Sequence, residues 1–285
     1  MSSPYPAPRA GRADLVPPAG SILLKERRCG HTSGVTVALV ALVALIASCV
    51  QAAASVGFAL IVTPVLFAVM SPAGAIITGA ALGLMLNLLM LFAEPRRPTV
   101  AWGEAMPIFA AAIPGSICGV LILQNVPKPA LQIAIGIAVI TVTAQRLMRR
   151  PPAPAAGTVR APSLWSRLSL GLATGTLSTS TGVSGPPLAL WLSTRGLSPA
   201  ELRDSMSALF FGTGVIAAVT VVPLLHSAHV DTWAVAAAAA GVLAGHAIGS
   251  RLFTRLTGQR VQYAMLAVIV ASGTASLVLG LTAAL

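Results

Sequence analysis

Residues 36–93 contain no Asp, Glu, Lys or Arg. About 20 apolar residues are enough to carry a helix across a bilayer, so this run is long enough to cross more than once. A charge-free run of that length leaves a water-facing fold without a surface. The rest of the chain agrees: of 285 residues, 9% are charged and 56% hydrophobic, against roughly a quarter charged in soluble domains. The sequence therefore predicts an all-α polytopic membrane protein, lying in a lipid bilayer.

The formal net charge is +11, which in a soluble chain would suggest a nucleic-acid surface. Here the cations gather between apolar segments, at Arg96 and Arg97, over 146–167, over 195–203 and over 251–260. That is how cytoplasmic loops are marked under the positive-inside rule, and it excludes nucleic acid as the partner. Cys29, Cys49 and Cys118 are far apart and form no C-x-x-C pair, which argues against thiol redox chemistry and a thiolate metal site. No cofactor and no metal are expected. His226, His229 and Asp231 have a spacing a metal could use, but they read as a solvated loop.

Breaker residues divide the chain. Residues 1–34, rich in Pro, Gly and Arg, read as a disordered tail without a cleavable signal. A first repeat covers 35–148, with segments near 36–54, 58–70, 73–93, 101–123 and 130–148. A Pro/Arg-rich linker covers 149–164 and is expected to be cytoplasmic. A second repeat covers 165–285, with segments near 166–180, 186–194, 202–224, 232–253 and 261–283. Segments 58–70, 166–180 and 186–194 are short for a crossing at 1.5 Å per residue, so they read as half-helices or re-entrant pieces.

Three features recur in order in the two groups. Pro64 matches Pro187, the Ser-Pro-Ala at Ser71 matches that at Ser198, and Gly115-x-x-x-Gly119 matches Gly245-x-x-x-Gly249. Counting crossings from a cytoplasmic linker puts equivalent loops on opposite sides, the inverted-repeat topology common in secondary transporters. Five full crossings per half would leave the basic tail outside, whereas a re-entrant 58–70 would bring it inside.

The second group holds "TLSTSTGVSGPPLALWL" over 176–192, six hydroxyl side chains with Gly182, Gly185, Pro186 and Pro187 and no charge. Interrupted helices survive in hydrocarbon only inside protein or beside a wet cavity. Proline cannot continue a helix but is welcome in the first turn of a new one. The stretch therefore reads as helix, break, helix, the second part starting near Pro186. A helix N-terminus offers N–H groups and partial positive charge to an anion, and Thr179, Ser180, Thr181 and Ser184 can add hydroxyl donors. The matching break lies in "SVGFALIVTP", 55–64, which brings in Gly57, Phe58, Thr63 and Pro64. Asn87, alone in an apolar helix, is either interhelical glue or a substrate contact. His246 is the one ionisable group expected well inside a crossing and is a candidate proton relay. The two G-x-x-x-G pairs fit close helix packing. Trp102, Trp191 and Trp233 fit interfacial anchors.

Two quoted stretches resemble a known family. "TGVSGPPLALWLSTRGLSPAELRDSMSALFF", 181–211, and "VGFALIVTPVLFAVMSP" followed by "LMLNLLML" within 56–91 are similar to the two half-motifs of the TauE/SafE sulfite exporters. Ala59 and Leu60 stand where that family often carries glycine. The resemblance implies a permease in a bacterial inner membrane that exports a small sulfur-containing anion such as sulfite or a sulfonate, with proton coupling and oligomeric state left open. A rival reading is a rhomboid-like intramembrane serine protease. Gly182-Val183-Ser184-Gly185 is a G-x-S-G, and His246 lies on a later helix. A Ser–His pair is the minimum for acyl transfer. The Pro-Pro after Ser184 and the tandem repeat weigh against it. A metal-ion permease would need acids and histidines gathered within its helices, and the sequence has almost none there.

Overall fold

A computed structural model describes residues 34–93, 97–148, 163–223, 232–253 and 259–284. The tail before Gly34, linker residues 149–162 and the loop of His226, His229 and Asp231 lie outside them. Among the described residues the regular structure is helical: α1 (Gly34–Ala54), α2 (Phe58–Val69), α3 (Pro72–Phe92), α4 (Trp102–Asn125), α5 (Lys128–Met148), α6 (Leu164–Ser180), α7 (Gly185–Ser193), α8 (Pro199–Val221), α9 (Thr232–Phe253) and α10 (Gln259–Ala284). Each lies within about one helical turn of its expected segment. Five of them, α1, α3, α4, α8 and α9, are long and apolar enough to cross a membrane.

Around a hydrophobic core, large apolar side chains also face outward and polar ones are enclosed. Leu42, Ile113, Leu121, Val219 and Leu243 are exposed, while Ser48, Gln51, Asn87, Ser116 and Thr179 are buried. Lipid tails welcome the first set, and the second set finds its hydrogen-bond partners inside. Since lipid is as apolar as leucine, helices associate here by close packing rather than by the hydrophobic effect.

The helices pair across the two halves: α1 with α9, α4 with α6, α5 with α10, and α3 with α8. Glycine permits these approaches. A Cβ on Gly115 would strike the Leu172 backbone of α6, and one on Gly245 would strike the Leu45 carbonyl of α1. At Gly249 it would stand 2.6 Å from the Cys49 carbonyl oxygen. Both G-x-x-x-G pairs are thus contact surfaces, each used on a helix of the other half.

Local signals explain the helix starts. Ser71 accepts from Gly74 N at 3.2 Å and Ser198 accepts from Glu201 N at 3.3 Å, each a serine N-cap followed by proline in the first turn. Ser198 completes a reciprocal box, because Glu201 Oε2 accepts its N–H at 3.0 Å. The prolines matched by sequence are not equivalent in space. Pro187 sits in the first turn of α7, whereas Pro64 lies inside α2. The interior position is tolerable because neighbouring groups in a helical membrane protein take up the freed carbonyl.

Candidate functional site

The first break falls at residues 55–57. Ser55 has φ +61° and Gly57 φ +141°, left-handed values that only glycine adopts without cost. A side chain stabilises the turn. Gln51, in the last turn of α1, accepts the N–H of Phe58, the first residue of α2, at 3.1 Å. Its Nε2 donates to Asn87 Oδ1 at 3.0 Å, and Asn87 Nδ2 donates to Gly83 O at 2.7 Å. One orphan donor of α2 is thereby satisfied, and α1, α2 and α3 are tied by a buried amide pair.

The second break falls at residues 181–184. Thr181 N and Gly182 N close α6 by donating to Leu177 O at 3.0 Å and Ser178 O at 3.1 Å. Gly182 then turns the chain at φ +72°. Ser184 precedes α7 without bonding the helix through its hydroxyl. The next residues, Gly185, Pro186 and Pro187, leave the first turn with few donors, because proline has no N–H. The N-terminus of α7 therefore offers the helix dipole and the N–H of Gly185 rather than a full crown of amides.

The two breaks face each other. A Cβ on Gly182 would lie 3.0 Å from Thr63 Oγ1 of α2, and one on Gly185 would lie 3.4 Å from Val56 Cγ1. Between them opens a cavity of about 730 Å³, its mouth included, bounded by both breaks, by α2 and α3, and by Phe210, Thr213, Gly214 and Ala217 of α8. Its polar lining is Gln51, Thr63, Asn87, Ser178, Ser184 and Thr213, and Phe58, Ile76, Leu84 and Phe210 supply apolar wall. Thr63 is 5% and Ser184 7% exposed. Among the described residues no protein group engages either hydroxyl.

Of the residues singled out in the sequence, Gly57, Phe58, Thr63, Asn87, Gly182, Ser184 and Gly185 line this cavity. Thr179, Ser180, Thr181, Pro64 and Pro187 are not among its described lining. The first three direct their hydroxyls to helix carbonyls: Thr179 to Ser116 O at 2.9 Å, Ser180 to Thr176 O at 2.7 Å and Thr181 to Leu177 O at 2.9 Å. Thr179 thus fastens α6 to α4. The Pro186 side chain lies outside the described residues. Gln51, Ser178 and Thr213 line the cavity without having been marked by the sequence reading. Gln51 had a usable signal, as a polar residue in a charge-free run one turn before a break.

His246 is half-buried on α9, between the glycines that press on α1, and is not in the described cavity lining. The Ser184–His246 pairing of a serine protease therefore finds no common site. Other ionisable groups are held near the starts of α8 and α4. Asp204 of α8 is 2% exposed and accepts from Thr99 N at 2.8 Å. Glu104 of α4 pairs with Arg167 of α6 through two bonds of 3.0 and 3.1 Å and accepts from Trp191 Nε1 of α7 at 3.0 Å. The Arg195 guanidinium lies 4.0 Å over the Trp191 ring. Trp191 is accordingly an internal strut rather than an interfacial anchor, while Trp102 and Trp233 are exposed.

The family described as Sulfite exporter TauE/SafE matches over residues 40–276. No curated protein and no solved structure matches.

Proposed function

Because the chain belongs to the TauE/SafE sulfite exporter family, and so is a multi-pass membrane transporter, we propose that it exports a small sulfur-containing anion bound in the cavity between the two helix breaks. The observation that carries this reading is the shared cavity: two interrupted helices, one from each half of the chain, supply its floor and its walls. Gly57 and Phe58 bring the start of α2 to it, and Ser184 and Gly185 the start of α7. Two half-helix dipoles and a set of hydroxyls can hold an anion loosely enough for release.

The inverted repeat is part of the same reading. Exchanging the halves exchanges α1·α9 with α6·α4 and leaves the pairs α3·α8 and α5·α10 unchanged, and these are the contacts found. Such symmetry supports an alternating-access cycle in which each half in turn opens the cavity. The basic stretches support a cytoplasmic linker. A proton relay through His246 draws no support from the cavity, and the protease alternative draws none either.

The test is efflux from vesicles reconstituted with the full chain and preloaded with sulfite or a short sulfonate. Gly185→Leu would thrust a side chain towards Phe210 and Val56 and should abolish the flux seen above protein-free vesicles. Unchanged flux in a well-folded variant would remove the cavity from the transport path.

A further inference from the structure

We propose that the cavity selects its cargo by charge, accepting a monoanion with a short apolar substituent, or sulfite in its singly protonated form, and rejecting dianions. The inference rests on the cavity being the transport site, and it names what that site takes.

The electrostatic means available are weak ones. The described polar lining consists of two amides and four hydroxyl groups, none of which carries a full charge. The acceptor oxygens of Gln51 and Asn87 each take one hydrogen bond, from Phe58 N and from Gln51 Nε2, and each amide keeps one N–H for a ligand. Thr213 spends its hydroxyl hydrogen on Leu209 O at 2.7 Å. The hydroxyls of Thr63, Ser178 and Ser184 remain for a ligand, those of Thr63 and Ser184 on residues more than nine-tenths buried. The two helix starts add partial positive charge, but Phe58 N is already bonded and two of the first three residues of α7 are prolines.

The cost of taking an ion out of water rises with the square of its charge, so a dianion is penalised roughly fourfold more than a monoanion of equal size. Attraction to fixed dipoles and hydroxyls rises only in proportion to charge. A site of this composition therefore favours the single charge. The apolar wall of Phe58, Leu84 and Phe210 gains from an alkyl substituent and gives nothing to a second oxyanion group. Sulfite takes up a proton near neutral pH, and in that form it enters as a monoanion. The proton then travels on the cargo, and no protein relay is required.

The experiment compares ethanesulfonate, sulfoacetate, sulfate and sulfite efflux from vesicles holding the full-length protein, each corrected for protein-free vesicles. Ethanesulfonate should leave at least about tenfold faster than sulfoacetate or sulfate, a ratio equivalent to about 1.4 kcal/mol. Its rate should be flat with pH, while sulfite efflux should rise as the pH falls and track the hydrogensulfite fraction. Equal rates for monoanion and dianion, with both still lost in Gly185→Leu, would overturn the charge selection and leave the transport site standing. Fluxes indifferent to both Gly185→Leu and Ser184→Ala would overturn the site and this inference with it.

Discussion

At residues 55–57 the chain turns through left-handed Ser55 and Gly57, and Gln51 reaches across the gap to bond Phe58 N and Asn87. At residues 181–184 it turns through Gly182, and Ser184 leaves its hydroxyl facing the cavity. The sequence motifs led one to expect two copies of one device. Side-chain chemistry makes them different: the first break is closed by a buried amide network, and the second is left with the free hydroxyl of Ser184. Buried hydrogen bonds between helices hold their surroundings in place. A hydroxyl without a protein partner is available to a ligand. The first break is thus suited to fixing the cavity's shape, and the second to contacting what enters it.

The sharpest way to break this comparison is Gly182→Val. A β-branched side chain at φ +72° costs about 1–3 kcal/mol in backbone strain, and its Cβ would press on Thr63. Efflux should vanish, measured beside a size-exclusion profile that confirms folding. Next in size is Gln51→Leu, which strands Phe58 N–H and the Asn87 amide. Each orphaned group costs about 1–3 kcal/mol, visible as a lowered thermal midpoint in detergent. Combining it with Asn87→Leu should cost less than the sum of the two changes, because the partners leave together.

Ser184→Ala tests the open break. It should reduce efflux by about three- to tenfold, the worth of a typical net hydrogen bond, with the thermal midpoint unmoved. Equal loss of stability in Ser184→Ala and Gln51→Leu would erase the distinction between the breaks. The smallest effect belongs to Thr181→Val. Its hydroxyl bonds only its own helix, at Leu177 O, so efflux should stay within about twofold of the parent, since side chain-to-carbonyl bonds within a helix add little.

Much of the architecture was legible because its signals are local. Ser-Pro-Ala at Ser71 and Ser198 starts a helix by its own chemistry, whatever lies nearby. Gly182 and the Pro-Pro pair end one helix and begin another for the same reason. The site was legible only in part. Thr179, Ser180 and Thr181 belong to the most conspicuous hydroxyl run in the chain, yet each satisfies itself on a helix carbonyl. Which hydroxyl is spent and which is free depends on where a neighbouring backbone passes. Ser178, in the same run, lines the cavity.

Buried charge was illegible for a related reason. Thr99 from the other half folds over Asp204 and buries it. Glu104, Arg167 and Trp191 come from three helices, and no spacing in the sequence connects them.

By itself, the sequence determined that this chain lives in lipid, that it crosses repeatedly as helices, and where two of those helices break. Hydropathy, proline and glycine act within a few residues of themselves, so these outcomes required no partner. Only the tertiary structure decided that the breaks meet, that Gln51 closes one of them, and that the hydroxyls of Thr63 and Ser184 are left to face the space between. Those outcomes depend on which helices glycine lets come close, and a hydrogen bond is settled by the group within reach rather than by the residue that carries it.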